Sequence, residues 1–262
     1  MKDHSAQEEK LLARRFLDLA EQSYAKGVPC FSDFLGLNEQ NIYHSLKREL
    51  DFASPVLYGG YEFAERQMLG FLPDALSFME EDTFREMFPI CCIRITARDE
   101  RYSDVLTHRD YLGAILNMGI DRSKTGDILI GDHAAWLFCH QQIAGFISDG
   151  LTKVKHTYVS CEISGVINSG LPGPRLQRME GSVASPRIDA LLALAFSASR
   201  SSLKDLPGSG KVFLNGRMVT DGSTNAKEGD LISVRGMGRF RYIGEIGRSK
   251  KGRCFAAIEK FV

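Results

Sequence analysis

The chain has 262 residues, in which 33 lysines and arginines are balanced by 33 aspartates and glutamates, so its formal net charge is zero. It is 44% hydrophobic and 25% charged, which is ordinary for a folded protein and excludes a chain disordered throughout. No apolar run reaches the roughly 18 residues that a membrane-spanning helix needs, and no signal-type stretch follows Met1. We therefore expect a soluble, cytoplasmic protein of two or three domains.

The first predicted module, residues 1–78, mixes helix and strand. Apolar residues recur at helical spacing within residues 7–26, and Asn38 is a plausible N-cap for a second helix. Residues 55–58 and 67–72 have the composition of short strands. These patterns predict a small α+β unit.

The second predicted module, residues 79–170, alternates strands and helices. In chain order the predicted elements are strand 90–96, helix 107–118 capped by Thr107, strands 127–130 and 134–139, helix 141–151 and strand 158–163. The order βαββαβ is that of the ferredoxin-like fold, which RNA-recognition modules share. The aromatic RNP1 pattern of those modules is absent, so we do not expect bases to stack on this sheet.

The third predicted module, residues 182–262, follows a segment of turn-forming residues at 166–174. A helical stripe begins at Ile188, and Ser199 is a good N-cap for a second, short helix. Asn215-Gly216, between two apolar runs, is a strong signal for a tight hairpin. With the β-rich tail that follows, the predicted fold class is α+β, built from three small modules.

The zero net charge conceals an uneven distribution. Residues 182–262 hold 14 basic and 7 acidic residues, whereas residues 1–181 hold 19 and 26. From Arg235 to the C-terminus, eight basic residues stand against two acidic ones. A basic end on a neutral chain indicates a polyanionic partner, although a solvated basic face without function would give the same count.

Four short blocks of the third module follow one another within about 50 residues. They are Arg187-Ile188-Asp189, Ser199-Arg200-Ser201, Gly-Lys-Val-Phe-Leu-Asn-Gly at 210–216, and Glu-Gly-Asp-Leu-Ile-Ser-Val at 228–234. This series resembles the RNA-binding domain named after ribosomal protein S-four. The resemblance implies a domain that binds structured RNA.

Further blocks lie upstream of that domain and in its tail. They are Phe-Ser-Asp-Phe-Leu at 31–35, Gly-Gly-Tyr-Glu-Phe-Ala-Glu-Arg at 59–66, Leu-Thr-His-Arg-Asp-Tyr-Leu-Gly at 106–113, Gly-Asp-Ile-Leu at 126–129 and Arg-Gly-Met-Gly-Arg-Phe at 235–240. With the C-terminal domain, they make nearly the whole chain resemble the YlmH family of bacterial proteins. The resemblance implies a cytosolic RNA-binding protein of the ribosome, associated with the large subunit carrying peptidyl-tRNA in the rescue of stalled translation. It also implies a link to cell division.

The predicted RNA contacts all lie in the third module: Arg187, Ser199, Arg200, Ser201, Lys204, Lys211, Asn215, Arg217, Arg235, Arg239 and Arg241. Guanidinium groups at two helix starts can reach adjacent phosphates, and the helix N-termini should add amide donors. Asp189 is interpreted as a local cap or ion-pair partner, and Asn215-Gly216 is either a contact or only a turn. Alternation in the tail predicts Phe240 and Tyr242 inward, with the neighbouring arginines outward.

Thr107-His108-Arg109-Asp110 resembles fragments of two enzyme signatures. Protein kinases need an asparagine five residues after the aspartate, where this chain has Ile115. Pseudouridine synthases use an H-R-L-D strand, whose leucine is missing here. We therefore expect His108 and Asp110 to cap and orient a helix.

The sequence gives no reason to expect a metal or a cofactor. Its six cysteines include no C-x-x-C pair and are predicted to be core thiols. His133 and His140 lack acidic or cysteine neighbours at zinc spacing. The leading hypothesis is a non-enzymatic protein that binds structured rRNA or tRNA on the ribosome through phosphates. An RNA-modifying enzyme targeted by its C-terminal domain and a cell-division adaptor stay open as alternatives.

Overall fold

The computed structural model describes residues 2–73, 76, 78–99, 101, 103–165, 170–248 and 254–262, apart from the side chains of residues 2–5, 81, 200 and 248. The chain divides into two compact units, Met1–Pro172 and Gly173–Val262. Within the described residues, no helix has the length and apolar character to cross a bilayer.

The helices of the described residues are α1 (Lys2–Lys26), α2 (Leu37–Leu50), α3 (Glu81–Glu86), α4 (His108–Leu116), α5 (Gln141–Gly150), α6 (Ile188–Ala195) and α7 (Arg200–Leu203). The strands are β1 (Cys30–Leu35), β2 (Pro55–Tyr58), β3 (Gln67–Phe71), β4 (Ile90–Ala97), β5 (Thr125–Ile130), β6 (Ala134–His140), β7 (Lys153–Val154), β8 (Thr157–Ser164), β9 (Leu176–Val183), β10 (Val212–Leu214), β11 (Arg217–Met218), β12 (Leu231–Val234), β13 (Gly238–Arg248) and β14 (Cys254–Phe261).

The first unit begins with a three-stranded antiparallel sheet in the order β1-β3-β2, packed against α1 and α2. Helix α2 is capped by Gly36, and the backbone N of Gly36 donates to the Glu39 carboxylate. The predicted cap at Asn38 is therefore wrong by two residues. Glu39 decides the helix start because a glutamate at the third helical position can reach back to the capping residue.

The same unit contains a five-stranded antiparallel sheet in the order β5-β6-β4-β8-β7. Its elements follow the predicted order βαββαβ, with the short strand β7 added. Helices α4 and α5 cover one face, where Ile93, Leu137, Ile115 and Ile147 form part of a buried cluster. Thr107 caps α4, as predicted.

The opposite face of this sheet meets the first sheet and α3. A single apolar cluster joins the two parts: Phe34, Met68, Phe84, Phe88, Ile90, Cys92, Ala134, Trp136 and Phe138. The Phe138 ring is fully buried and stacks against Tyr61 at 5.0 Å between centroids. The first two predicted modules therefore share a core and lie in one compact unit.

A polar joint accompanies that apolar cluster. Arg66 donates from Nε to the Thr125 carbonyl and from Nη2 to the Phe34 carbonyl, both at 3.0 Å. The Asp127 carboxylate accepts from the backbone N of Glu65 (2.7 Å) and of Arg66 (3.1 Å). Three of the blocks that resemble the YlmH family, at 31–35, 59–66 and 126–129, thus meet at one structural joint.

The second unit is a six-stranded antiparallel sheet in the order β11-β10-β12-β13-β14-β9, with α6 and α7 on one face. Strand β9 pairs with β14 along its whole length, from Leu176 opposite Phe261 to Val183 opposite Cys254. The sheet therefore begins six residues before the predicted start of the module at residue 182. Helix α7 ends at Leu203, and Pro207, four residues later, disfavours helical geometry at Leu206.

Candidate nucleic-acid interface

A groove on the helix side of the second unit gathers three predicted RNA contacts. It has a volume of about 830 Å³ and is lined by Arg187, Ser201 and Lys204 together with the carboxylates of Asp189, Asp205 and Asp221. The groove therefore holds two cations and three anions. Its own charge does not favour a polyanion.

Arg187 is held by a carboxylate in this groove. Its Nε and Nη2 donate to the two Asp189 carboxylate oxygens at 3.1 and 3.0 Å, and the two side chains are 43% and 24% exposed. Of the two interpretations of Asp189, the structure shows the ion pair. Since such partly exposed pairs contribute little, about 1 kcal/mol or less, a phosphate could compete for Arg187.

The first amides of α6 are engaged within the protein. The backbone N of Ile188 donates to the Thr224 carbonyl (2.9 Å), and that of Asp189 donates to the Gly222 carbonyl (3.0 Å). The expectation that this helix start offers amide donors to phosphate is therefore wrong for these two groups.

The start of α7 is capped as predicted. Ser199 Oγ accepts from the backbone N of Ser202 at 3.2 Å and lies 2.9 Å from Ser201 Oγ. Both hydroxyls are exposed. The Arg200 side chain lies outside the described residues. Ser199 therefore acts as the cap of α7, whereas Ser201 lines the groove.

The face of the six-stranded sheet opposite its helices carries a second group of predicted contacts. Phe240 and Tyr242 are buried in the core, so Arg239 and Arg241 lie on the opposite face, as predicted. The Arg239 guanidinium lies 4.4 Å from the centroid of the Phe261 ring. A cation held over an aromatic face in this way keeps its charge while its orientation is restricted.

Two more predicted cations lie at one end of this face. The Arg235 guanidinium is 5.9 Å from the centroid of the buried Phe213 ring, and the Arg235 backbone N donates to the Lys211 carbonyl at 2.9 Å. Lys211 precedes Val212, whose side chain is in the core, so alternation places Lys211 on the same face as Phe213. Both cationic side chains are exposed.

Arg241 is part of a row of alternating charges across three strands. Arg241 Nη2 donates to a Glu259 carboxylate oxygen at 2.8 Å, and Arg178 lies opposite Glu259 in the register. Arg178 in turn pairs with Glu180 at 2.9 Å. With Lys211, Arg235 and Arg239, the described side chains of this face include five cations and two carboxylates, which makes it more favourable to a polyanion than the groove.

Arg178 was missed because β9 was not predicted. The sequence signal was weak: polar and non-polar residues alternate only over 178–183, and one of the non-polar positions is a glycine.

The last two predicted contacts lie at the β10–β11 hairpin. Asn215 and Gly216 both have positive φ, 50° and 79°, as a two-residue turn of this kind requires. Asn215 Oδ1 accepts from the Leu231 backbone N (2.9 Å), and its Nδ2 donates to Asp230 (2.8 Å). Asn215 thus joins two loops. Arg217 lies opposite Leu214, which packs against the helix-side core, so Arg217 belongs to the helix side.

The residues of the rival enzyme signatures lie at the start of α4. The Asp110 carboxylate accepts from Thr107 N (2.8 Å), Thr107 Oγ1 (2.7 Å) and Lys155 Nζ (2.9 Å). These hydrogen bonds lower the pKa of Asp110 to about 2. Burial, assisted by the charge of Arg122, lowers the pKa of His108. Asp110 is thus occupied as a helix-orienting group, and the described part of the chain holds no cluster of three or more metal-ligating side chains.

Comparisons with known proteins give three findings. Residues 86–166 match the family model described as "Putative RNA-binding domain in YlmH". The chain is 29% identical over 232 residues to "Ribosome-associated protein quality control protein P2" of Bacillus subtilis (strain 168), covering 87% of this chain and 86% of that protein. A solved structure, "Cell division protein ylmH from Streptococcus pneumoniae", is 23% identical and covers 63% of this chain and 94% of its own, with a TM-score of 0.46 that is too low to support a conclusion. The family model and the Bacillus relative support the resemblance of this chain to the YlmH family.

Proposed function

We propose that this chain is a YlmH-type protein that binds structured RNA on the ribosome and has no catalytic activity of its own. Two findings support the proposal: the RNA-binding family model matched by residues 86–166, and the relative named for ribosome-associated quality control. In this proposal the protein is cytoplasmic, needs no cofactor, and acts in the rescue of stalled translation on the large subunit carrying peptidyl-tRNA. Its RNA partners are rRNA and tRNA.

The proposed architecture has three parts. They are an N-terminal α+β module, a ferredoxin-like module built on the five-stranded sheet, and a C-terminal domain of the S-four type. The first two form one compact unit, and the third forms the other. This division assigns the acidic part of the chain to one unit and the basic part to the other.

The observation that carries the proposal is the cationic face of the six-stranded sheet. Lys211, Arg235 and Arg239 lie on it, and two of the three are held over aromatic rings. The bidentate fork of arginine suits phosphate oxygens, and a guanidinium already oriented by a ring loses less entropy when it binds. The face fits the backbone of folded RNA, recognised by shape and phosphates with little reading of bases.

Filter binding of ribosomal RNA across a salt series tests this proposal. If about five phosphates are neutralised, the logarithm of the affinity should fall against the logarithm of the salt concentration with a slope of about −3.5 to −4.5. A slope near zero contradicts the proposal. In a sucrose gradient, the full chain should sediment with ribosomes.

Charge-reversal variants make the test specific to the sheet face. Lys211→Glu combined with Arg235→Glu should weaken RNA binding by about tenfold or more and flatten the salt slope by about 1.4 to 1.8. The matched control is Lys47→Glu combined with Arg48→Glu, two exposed residues of α2 with the same change of charge. Equal losses in the two double variants would show a general charge effect and would remove the sheet face from the proposal.

The absence of catalysis has its own test. Because the Asp110 carboxylate is occupied by Thr107 and Lys155, we do not expect it to act as a general base. Ribosomal and transfer RNA from a strain that lacks the protein should keep every modified nucleoside. A nucleoside lost on deletion and restored by the wild type, but not by His108→Ala, would replace the proposal with an RNA-modifying enzyme.

A further inference from the structure

We propose that a groove of the first unit, between α4 and the β7–β8 turn, binds the phosphate backbone of structured RNA. The groove has a volume of about 490 Å³, and its polar rim is formed by Arg109, Asp110, Asn117, Lys153 and Lys155. The inference rests on the proposed RNA-binding function and assigns a second RNA surface to the chain. None of its cations was among the contacts predicted from the sequence.

The usual RNA surface of a module with this strand order is covered at its centre here. RNA-recognition modules stack bases on the sheet face opposite their helices. The centre of that face carries Cys92, Trp136 and Phe138, all buried beneath the first sheet and α3. Toward β8 the same face is exposed, with Arg94 directly opposite Glu162. The covered centre of this sheet therefore has no room for a stacked base, and the helix side is a separate surface on which residues 86–166 could contact RNA.

The groove concentrates positive charge in an otherwise acidic part of the chain. Two cations, Arg109 and Lys155, face one carboxylate, Asp110, although residues 1–181 hold seven more acidic than basic residues. Lys153 borders the groove, but it lies opposite Tyr158 in the strand register and its ammonium is held over that ring, on the sheet face away from α4. Lys155 Nζ lies 2.9 Å from Asp110 and its side chain is still 47% exposed. A net positive groove in an acidic unit is not a consequence of composition, and it matches the charge of a phosphodiester chain.

Gly113 lies on the wall of this groove, in the interior of α4. A Cβ added there would meet no described atom within 4 Å beyond its own helical turns, so packing does not require a glycine. A glycine inside a helix costs about 1 kcal/mol relative to alanine. Its absence of a side chain leaves room for another backbone to approach the helix closely.

The β7–β8 turn contains a second residue at the same groove whose local conformation is unfavourable. Lys155 has a positive φ of 51°, a conformation that suits glycine or asparagine better than lysine. The turn thereby places a lysine at the tip of the groove, beside Asp110. Lys153, two residues earlier, has its Nζ 5.1 Å from the centroid of the exposed Tyr158 ring.

The chemistry of the groove selects the RNA backbone over its bases. No aromatic side chain lines it, so bases have no ring on which to stack. Lysine, arginine and asparagine side chains are the groups that contact phosphates and sugars without reading sequence. The expected ligand is a folded or duplex RNA, bound with little sequence preference.

The test uses the full chain and an RNA hairpin with a stem of about 16 base pairs, the span that shape-reading RNA modules cover. Arg109→Glu combined with Lys155→Glu should weaken binding in fluorescence anisotropy by about tenfold and flatten the salt slope by about 1.4 to 1.8. The control is again Lys47→Glu with Arg48→Glu. A second variant, Gly113→Gln, fills the groove without changing charge and should weaken binding while leaving thermal unfolding unchanged or raised.

The outcomes separate this inference from the proposed function. If the groove variants bind like the control while Lys211→Glu/Arg235→Glu is impaired, the groove is overturned and the sheet face stands. If only the groove variants lose RNA binding, the groove is supported as the binding surface and the sheet face is contradicted. If the wild type does not bind the hairpin or ribosomal RNA, both fall.

Discussion

The two larger sheets of this protein are built alike on one face and differently on the other. Each has two helices on one face. The opposite face of the five-stranded sheet is apolar at its centre, where it buries Trp136 and Phe138 beneath another part of its own unit. The opposite face of the six-stranded sheet carries Arg178, Arg239 and Arg241, which are partly exposed.

The difference shows that two sheets with helices on one face can present opposite kinds of surface on the other. A sheet face covered by aromatic side chains contributes stability through burial, at about 25 cal/mol for each Å² of apolar surface removed from water. A face of oriented arginines contributes little stability and is suited to recognition. The two faces should therefore respond in opposite ways to substitution.

The largest expected effect is on stability, at the covered face. Phe138→Ala removes a fully buried ring that stacks on Tyr61, and it should lower the free energy of unfolding by about 3–5 kcal/mol. Phe255→Ala is the matched change on the other sheet, where the ring is 41% exposed, and should cost less than about 1 kcal/mol. Urea unfolding measures both. Equal costs would mean that the two faces are buried alike.

A second large effect is expected at the polar joint of the first unit. Arg66→Met removes the guanidinium that donates to the Phe34 and Arg122 carbonyls, whereas the Thr125 carbonyl keeps Arg122 as a donor. The substitution should lower the free energy of unfolding by about 3 kcal/mol. Arg14→Met, at an exposed position of α1, is the control and should change stability by about 0.5 kcal/mol or less. If Arg66→Met were equally mild, the joint would not be what holds the two sheets together.

A smaller effect, on binding, is expected at the arginine face. Arg239→Ala removes one cation and should flatten the salt slope of RNA binding by about 0.7 to 0.9. Because a cation over a ring at a partly exposed site contributes about 0.5–1 kcal/mol, stability should hardly change. Phe261→Leu keeps the charge but removes the ring, so it should weaken binding less than Arg239→Ala does. Arg48→Ala on α2 is the control.

Elements set by neighbouring residues were predictable from the sequence. Thr107 as the cap of α4, Ser199 as the cap of α7 and the Asn215-Gly216 turn all follow from side chains that act within three residues of themselves. The split of charge between the two units was also visible by counting. Such features need no knowledge of tertiary structure.

Features that depend on distant partners were not predictable. Strand β9 has few apolar residues and is stabilised by pairing with β14, almost 80 residues later. Arg187 was predicted as a phosphate contact, yet its guanidinium is paired with Asp189. The first amides of its helix donate to carbonyls of the loop at 222–224. The covered face of the five-stranded sheet depends on residues from the first module, which no local pattern of that sheet reveals.

The smallest expected effect concerns Asp110, where stability and binding can be separated. The folded-state pKa of this carboxyl, about 2, lies below its ordinary value of 3.8, because Thr107 and Lys155 donate to the ionised form. The stabilisation is therefore present above about pH 4 and is lost as the pH falls through 2. Asp110→Asn should lower the free energy of unfolding at pH 7, and its difference from the wild type should shrink between pH 4 and pH 2 in urea titrations.

The same substitution should act in the opposite direction on the groove. Removing the carboxylate leaves Lys155 without its anionic partner and makes the groove more positive, so the RNA hairpin should bind as well as before or slightly more tightly. Asp149→Asn, an exposed carboxylate on α5, is the control for the change in net charge. If Asp110→Asn weakens both folding and RNA binding, then Asp110 positions Lys155 for the phosphate, and its ion pair is part of the binding surface and not a competitor of the RNA.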